Sequence, residues 1–178
     1  MTSSVPSLAM FVPRLNVVGT IAIAAVLLCS CDPALFYRVP GWQEIQDDGV
    51  SYEGEVHPGV KARVHSSGFG GGLGVKLDIL NVSVPGLSFD GSTMYFADLG
   101  GRRLPPDTID RPQCQYSTTI PAVLSVGQTL TASCGWSAKL SGIPGLTRNS
   151  DLERVVLVQP GLVGPSGPVP VAIRMTRL

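Results

Sequence analysis

The chain has 178 residues with 13 Lys plus Arg against 13 Asp plus Glu, a formal net charge of zero, which argues against the basic surface that nucleic acid requires. Its 21 glycines and 15 prolines are spread among Val, Leu and Ile runs. An internal glycine costs a helix about 1 kcal/mol and an internal proline about 3 kcal/mol, so the composition excludes a helical bundle and predicts many short strands joined by tight turns.

The first element is a leader. Arg14 precedes the apolar run Val17 to Leu28, which is too short to span a bilayer core comfortably and reads as the core of an export signal. The run ends in Leu28-Cys29-Ser30-Cys31, which resembles the lipobox of bacterial lipoproteins: a cysteine preceded by a small residue, with leucine three positions back. The resemblance selects Cys31, because cleavage before Cys29 would place the bulky Leu28 in a pocket that accepts small side chains. It implies a signal peptide over residues 1–30, lipidation of Cys31, and a mature chain held on the cell membrane by several acyl chains, each buried methylene contributing about 0.8 kcal/mol. The body then faces the periplasm, and Asp32 beside the lipidated residue resembles the signal that retains such proteins in the inner membrane.

Residues 31–49 read as a tether carrying Leu35, Phe36, Tyr37 and Trp42 between Pro33, Pro40 and Gly41. The expectation is that these aromatics dock back onto the body, the alternative being that Trp42 rests in the headgroup interface. Residues 50–178 read as one domain.

Within it, Val50 to Val56 and Val60 to His65 alternate around Pro58-Gly59 and predict a hairpin. Leu73, Val75, Leu77 and Ile79 then share one strand face, with Val82 and Val84 extending the strand. Leu87 and Phe89, followed by Asp90-Gly91 and Thr93 to Phe96, have the pattern of a second hairpin. From Asp98 to Gln113 the glycines and prolines predict a long crossing loop. Leu130, Ala132, Cys134 and Trp136 form another strand face. Leu152 to Gln159 is extended, Pro160 to Pro170 is turn-rich, and Val169 to Met175 is the last strand. Seven to nine strands and no helix predict an all-β fold, a two-sheet β-sandwich that is immunoglobulin-like in architecture only.

Cys114 and Cys134 are the cysteines left in the body. In an oxidising compartment a disulfide between them closes a loop of about twenty residues, worth about 3 kcal/mol, and pins the end of the long loop beside Trp136. Their spacing fits neither a Cys-x-x-Cys redox motif nor a zinc site.

The sequence offers little catalytic grammar. The glycines of Gly68 to Gly74 run into a strand and fit no phosphate-binding fingerprint. His57 and His65 lack a third ligand, no serine stands in Gly-x-Ser-x-Gly, and Asp107 and Asp110 read as solvated loop acids, Asp110 pairing with Arg111 or Arg103. Asn81-Val82-Ser83 matches a glycosylation acceptor but lies on a strand. No cofactor and no metal are implied. The expected function is therefore a non-enzymatic, membrane-tethered interaction or assembly module that contacts another envelope protein. Its loops 66–74, 98–113 and 160–168 would supply the contact, with Phe69, Arg102, Arg103, Asp107 and Asp110 as candidate contact residues. The alternative is a carbohydrate or small-ligand binding module, which needs Tyr95, Tyr116 and Trp136 to form an exposed platform.

Overall fold

The computed structural model describes residues 35–69, 72–105, 108–117, 122–137 and 152–178, and residues Cys31–Leu178 form one compact unit. The fold is all-β, built of three antiparallel sheets. One sheet contains β1 (Tyr37–Arg38), β14 (Val171–Arg177), β11 (Arg154–Gln159) and β7 (Tyr95–Ala97), in that order. The largest has six strands: β2 (Gln43–Glu44), β3 (Ser51–His57), β4 (Val60–Phe69), β5 (Gly72–Asn81), β10 (Thr129–Ser137) and β8 (Gln113–Tyr116). The smallest contains β13 (Gly167–Pro168), β12 (Leu162–Gly164), β6 (Leu87–Phe89) and β9 (Ala122–Leu124).

Side-chain alternation explains the large sheet. Leu73, Val75, Leu77 and Ile79 of β5 are buried, as are Leu130, Ala132, Cys134 and Trp136 of β10 directly beside them. Each such buried aliphatic side chain contributes about 1.5–3 kcal/mol. From the facing sheets come Phe96, Val155, Leu157, Val171, Ile173 and Met175, together with Phe89 and Leu162. The Phe96 and Trp136 rings meet at 4.7 Å, so the cores of two sheets are continuous.

The division into three sheets rather than two has a local cause. β11 and β14 pair up to Gln159 opposite Val171, and beyond a kink the same hairpin resumes as β12 and β13, with the Val169 amide donating to the Leu162 carbonyl at 2.9 Å. Gly161 sits in the kink at φ +86°, and a Cβ there would strike the Asp90 side chain. The turn-rich stretch expected over 160–170 is therefore a short hairpin.

Two other expectations change. Leu87–Phe89 and Tyr95–Ala97 do not pair with each other. They run successively along the kinked hairpin, β6 beside β12 and β7 beside β11, because the Asp90 carboxylate accepts the Ser92 amide at 2.8 Å and shapes a jog instead of a reversal. The strand expected to run on through Val82 and Val84 stops at Asn81, whose Oδ1 accepts the Val84 amide at 2.8 Å and turns the chain.

Buried polar side chains tie the sheets together. Ser66 on β4 accepts from the Tyr37 amide at 3.0 Å and donates to the Tyr37 carbonyl at 2.9 Å. Asn81 donates through Nδ2 to the carbonyls of Leu124 and Val84, both at 2.7 Å. The aromatic segment near the start of the body docks: Leu35, Tyr37 and Val39 are buried, β1 pairs with β14, and Trp42 packs against the core.

Candidate functional site

The long connection after β7 carries the chain from one sheet to the six-stranded one, and its conformation is set by its own side chains. Asp98 accepts the amides of Gly100 at 3.0 Å and Arg102 at 2.9 Å and meets the Arg102 Nε at 3.1 Å. These bonds, the Arg102 amide first, hold its carboxyl below the usual range. Arg103 then lies alongside Ala97 with its guanidinium 4.8 Å from the Tyr95 ring centroid, a cation–π contact. The Leu104 amide donates to the Phe96 carbonyl at 2.9 Å.

Among the described residues Asp110 forms no ion pair with an arginine, Arg103 and Arg111 included. Its carboxylate accepts the Ser137 amide at 2.7 Å while its own amide donates to the Ser137 carbonyl, so it is held to the last residue of β10. Four residues on, the disulfide between Cys114 and Cys134 joins directly opposed positions of β8 and β10, with Cα atoms 4.1 Å apart. The loop is thereby fixed at both ends.

A cleft of about 590 Å³ lies between this loop and the sheets, with Tyr95, Phe96, Leu104 and Trp136 along its walls and Arg103, Asp110 and Arg111 at its polar margin. Arg103, Leu104 and Pro105 separate it from a second cleft of about 490 Å³ that reaches Asp98, Arg102, Glu153 and Arg154. Three expected contact residues, Arg102, Arg103 and Asp110, thus gather around adjoining clefts. Phe69 ends β4 opposite Gly72, which pairs with Ser137, so its backbone shares a register row with Asp110 but is separated from it by β5 and β10, while Cys31 and Asp107 lie outside the described residues.

The aromatic platform required for a sugar-binding reading is not assembled. Trp136 is buried against Phe96. Tyr116 leans on Phe89 at 5.3 Å and donates its hydroxyl to the Ser92 carbonyl, and burial raises its pKa. Of the three, Tyr95 and Trp136 border the cleft, but Trp136 is buried and Tyr95 lies beneath Arg103.

Sequence reasoning missed a cluster of Asp48, Ser51 and His65. Ser51 Oγ lies 2.7 Å from Asp48 Oδ2 and 2.8 Å from His65 Nδ1. In a nucleophilic triad the imidazole stands between acid and hydroxyl. Here the buried hydroxyl stands in the middle, and the cluster closes the turn into β3. His57 occupies the β3–β4 turn region, its Nδ1 3.1 Å from the Pro58 carbonyl. Among the described residues no group of three or more His, Cys, Asp or Glu is arranged to hold a metal ion.

A second missed feature is apolar. Val123, Ser88, Val163 and Pro168 are successive cross-strand neighbours on one face of the smallest sheet, and Val123 is 67% and Val163 42% exposed. Val126, in the turn after β9, is exposed as well. β9 is the last strand of that sheet among the described residues.

No family model and no curated protein matches the chain in sequence, so the reading of these surfaces rests on their own geometry.

Proposed function

We propose that this protein is an envelope lipoprotein, anchored through Cys31 and facing the periplasm, whose body is a non-enzymatic interaction or assembly module. The reading also takes the two smaller sheets as one kinked layer facing the six-stranded sheet, a sandwich that is immunoglobulin-like in architecture only. Supporting the layer are the hairpin that resumes past its kink, from Gln159–Val171 to Leu162–Val169, and the Ser66 and Asn81 ties.

The observation that carries the interaction role is the pair Val123 and Val163, flanking Ser88 beside the β9 edge. Exposed apolar side chains gathered on one face mark contact sites, and an edge strand offers backbone groups for a partner's strand. A photo-crosslinking residue placed in cells at Val123 or Val163 should yield the same discrete adduct. The same probe at Gln115, on the six-stranded sheet, should not. Failure of both valine positions to give a common adduct would remove the interaction role.

A second reading, ligand binding at the cleft beside Tyr95 and Arg103, is favoured by its volume and its mixed apolar and guanidinium lining. Retention on cell-wall glycan that Arg103→Ala abolishes would select it.

A further inference from the structure

The sheet of β1, β14, β11 and β7 has an outward face whose charge is one-sided. Its strands contain Arg38, Arg154, Arg174 and Arg177 and no Asp or Glu. Arg177 lies opposite the buried Tyr37 and is itself largely covered. The other three are exposed. Register places Arg38, Thr176 and Arg154 in one row and Arg174, Val156 and Ala97 in the next, with Arg103 continuing that row beside Ala97.

The six-stranded sheet is the internal contrast. On its outward face Glu53 pairs with Lys61 at 3.6 Å and with Arg63, and Asp78 takes Lys76 at 3.5 Å, so neighbouring charges cancel. Among the described residues, Asp98 directly follows β7 and Glu153 directly precedes β11, and they face Arg102 at 3.1 Å and Arg177 at 3.9 Å.

The side chains of the row before Arg38 are apolar. Phe36, 40% exposed, accepts the Leu178 amide at 3.0 Å, and Leu178 is 62% exposed. Phe36 follows Cys31 by five residues, at most about 18 Å of extended chain. Acyl chains on Cys31 would therefore hold this corner of the body close to the bilayer surface, within about two Debye lengths at physiological salt.

We propose that the outward face of this sheet lies against the membrane, Phe36 and Leu178 entering the interface and Arg38, Arg154 and Arg174 meeting anionic phospholipid headgroups. The complementarity is of charge and of polarity: guanidinium groups bind phosphate with several donors, and an apolar pair beside them suits the headgroup boundary. The inference rests on the lipid anchor proposed above.

The test uses lipidated protein purified from membranes and reconstituted into vesicles of phosphatidylcholine alone or with about 30 mol% phosphatidylglycerol, an anionic surface that attracts basic side chains. Phenylglyoxal modification of each arginine is followed by mass spectrometry. Arg38, Arg154 and Arg174 should react at least about fivefold more slowly on the anionic vesicles, matching the attraction of one basic residue near such a surface, and about 0.5 M salt should restore them. Arg63, on the six-stranded sheet, should react equally on both. Equal rates for the face arginines on vesicles that carry the protein would overturn the inference and leave the anchor standing. Protein that floats with neither vesicle would overturn the anchor, and the inference with it. Protection seen in native envelope membranes and absent from protein-free vesicles would assign the face to a protein partner instead of lipid.

Discussion

The indole of Trp42 occupies the space that a side chain on Gly54 would fill: a Cβ built on Gly54 would lie 2.5 Å from both Cδ2 and Cε2 of that ring. This contact lets the segment after Tyr37 return to the six-stranded sheet, where β2 pairs with β3. Gly54→Ala should displace the indole and cost about 1–3 kcal/mol, the range for forcing an extra methyl into a packed site. The check is a fall in the thermal midpoint accompanied by a changed Trp42 emission, read in a Trp136→Phe background.

The disulfide fixes an edge strand of four residues, β8, to the neighbouring nine-residue strand β10. Replacing both Cys114 and Cys134 by alanine should lower stability by about 3 kcal/mol through the released chain entropy. Denaturant unfolding of the two proteins measures it, and an unchanged midpoint would show that the bridge adds nothing to the ladder that surrounds it.

Asn81 is buried and satisfies three backbone groups on two connections. Asn81→Ala leaves those groups without partners, at about 1–3 kcal/mol for a single orphaned buried group, and should destabilise the protein by about 3 kcal/mol in urea unfolding. Asn81→Asp keeps the acceptor for Val84 and loses both donations, so it should fail as a rescue.

Stability should fall at both ends of the pH scale. The Ser51 hydroxyl lowers the Asp48 pKa, the Arg102 amide that of Asp98, and the Arg63 guanidinium that of Glu53. Groups depressed on folding contribute fully above their unfolded values, about pH 4, and lose that contribution as pH falls through the folded ones. Tyr37 is shifted the other way by burial, so its contribution is intact below about pH 10 and is lost as pH rises further. A thermal midpoint followed against pH should be flat between these limits. Asp48→Asn should soften the acid limb and Tyr37→Phe the alkaline one.

What could be read in the sequence was local. Leu73 to Ile79 and Leu130 to Trp136 alternate with period two because one sheet face is buried, and those strands fall where the alternation places them. The disulfide was legible because only two cysteines lie beyond residue 31. The partners of short strands were not. Leu87–Phe89 and Tyr95–Ala97 look like a hairpin locally, and only the distant segment 154–164 shows that they lie end to end. The roles of Asn81 and Ser66 depend on contacts 43 and 29 residues away, which no local pattern encodes. The exposure of Val123 and Val163 was hidden for the same reason: a lone valine in a three-residue strand carries no sign of which face it takes.

The account stands most directly on the fate of Cys31. Cells grown with radioactive palmitate should incorporate label into the wild-type protein, with the labelled species migrating at the mass of the chain that begins at Cys31, and Cys31→Ser should carry none. Equal labelling of the two proteins, or an unlabelled wild type released freely into the periplasm, would contradict it.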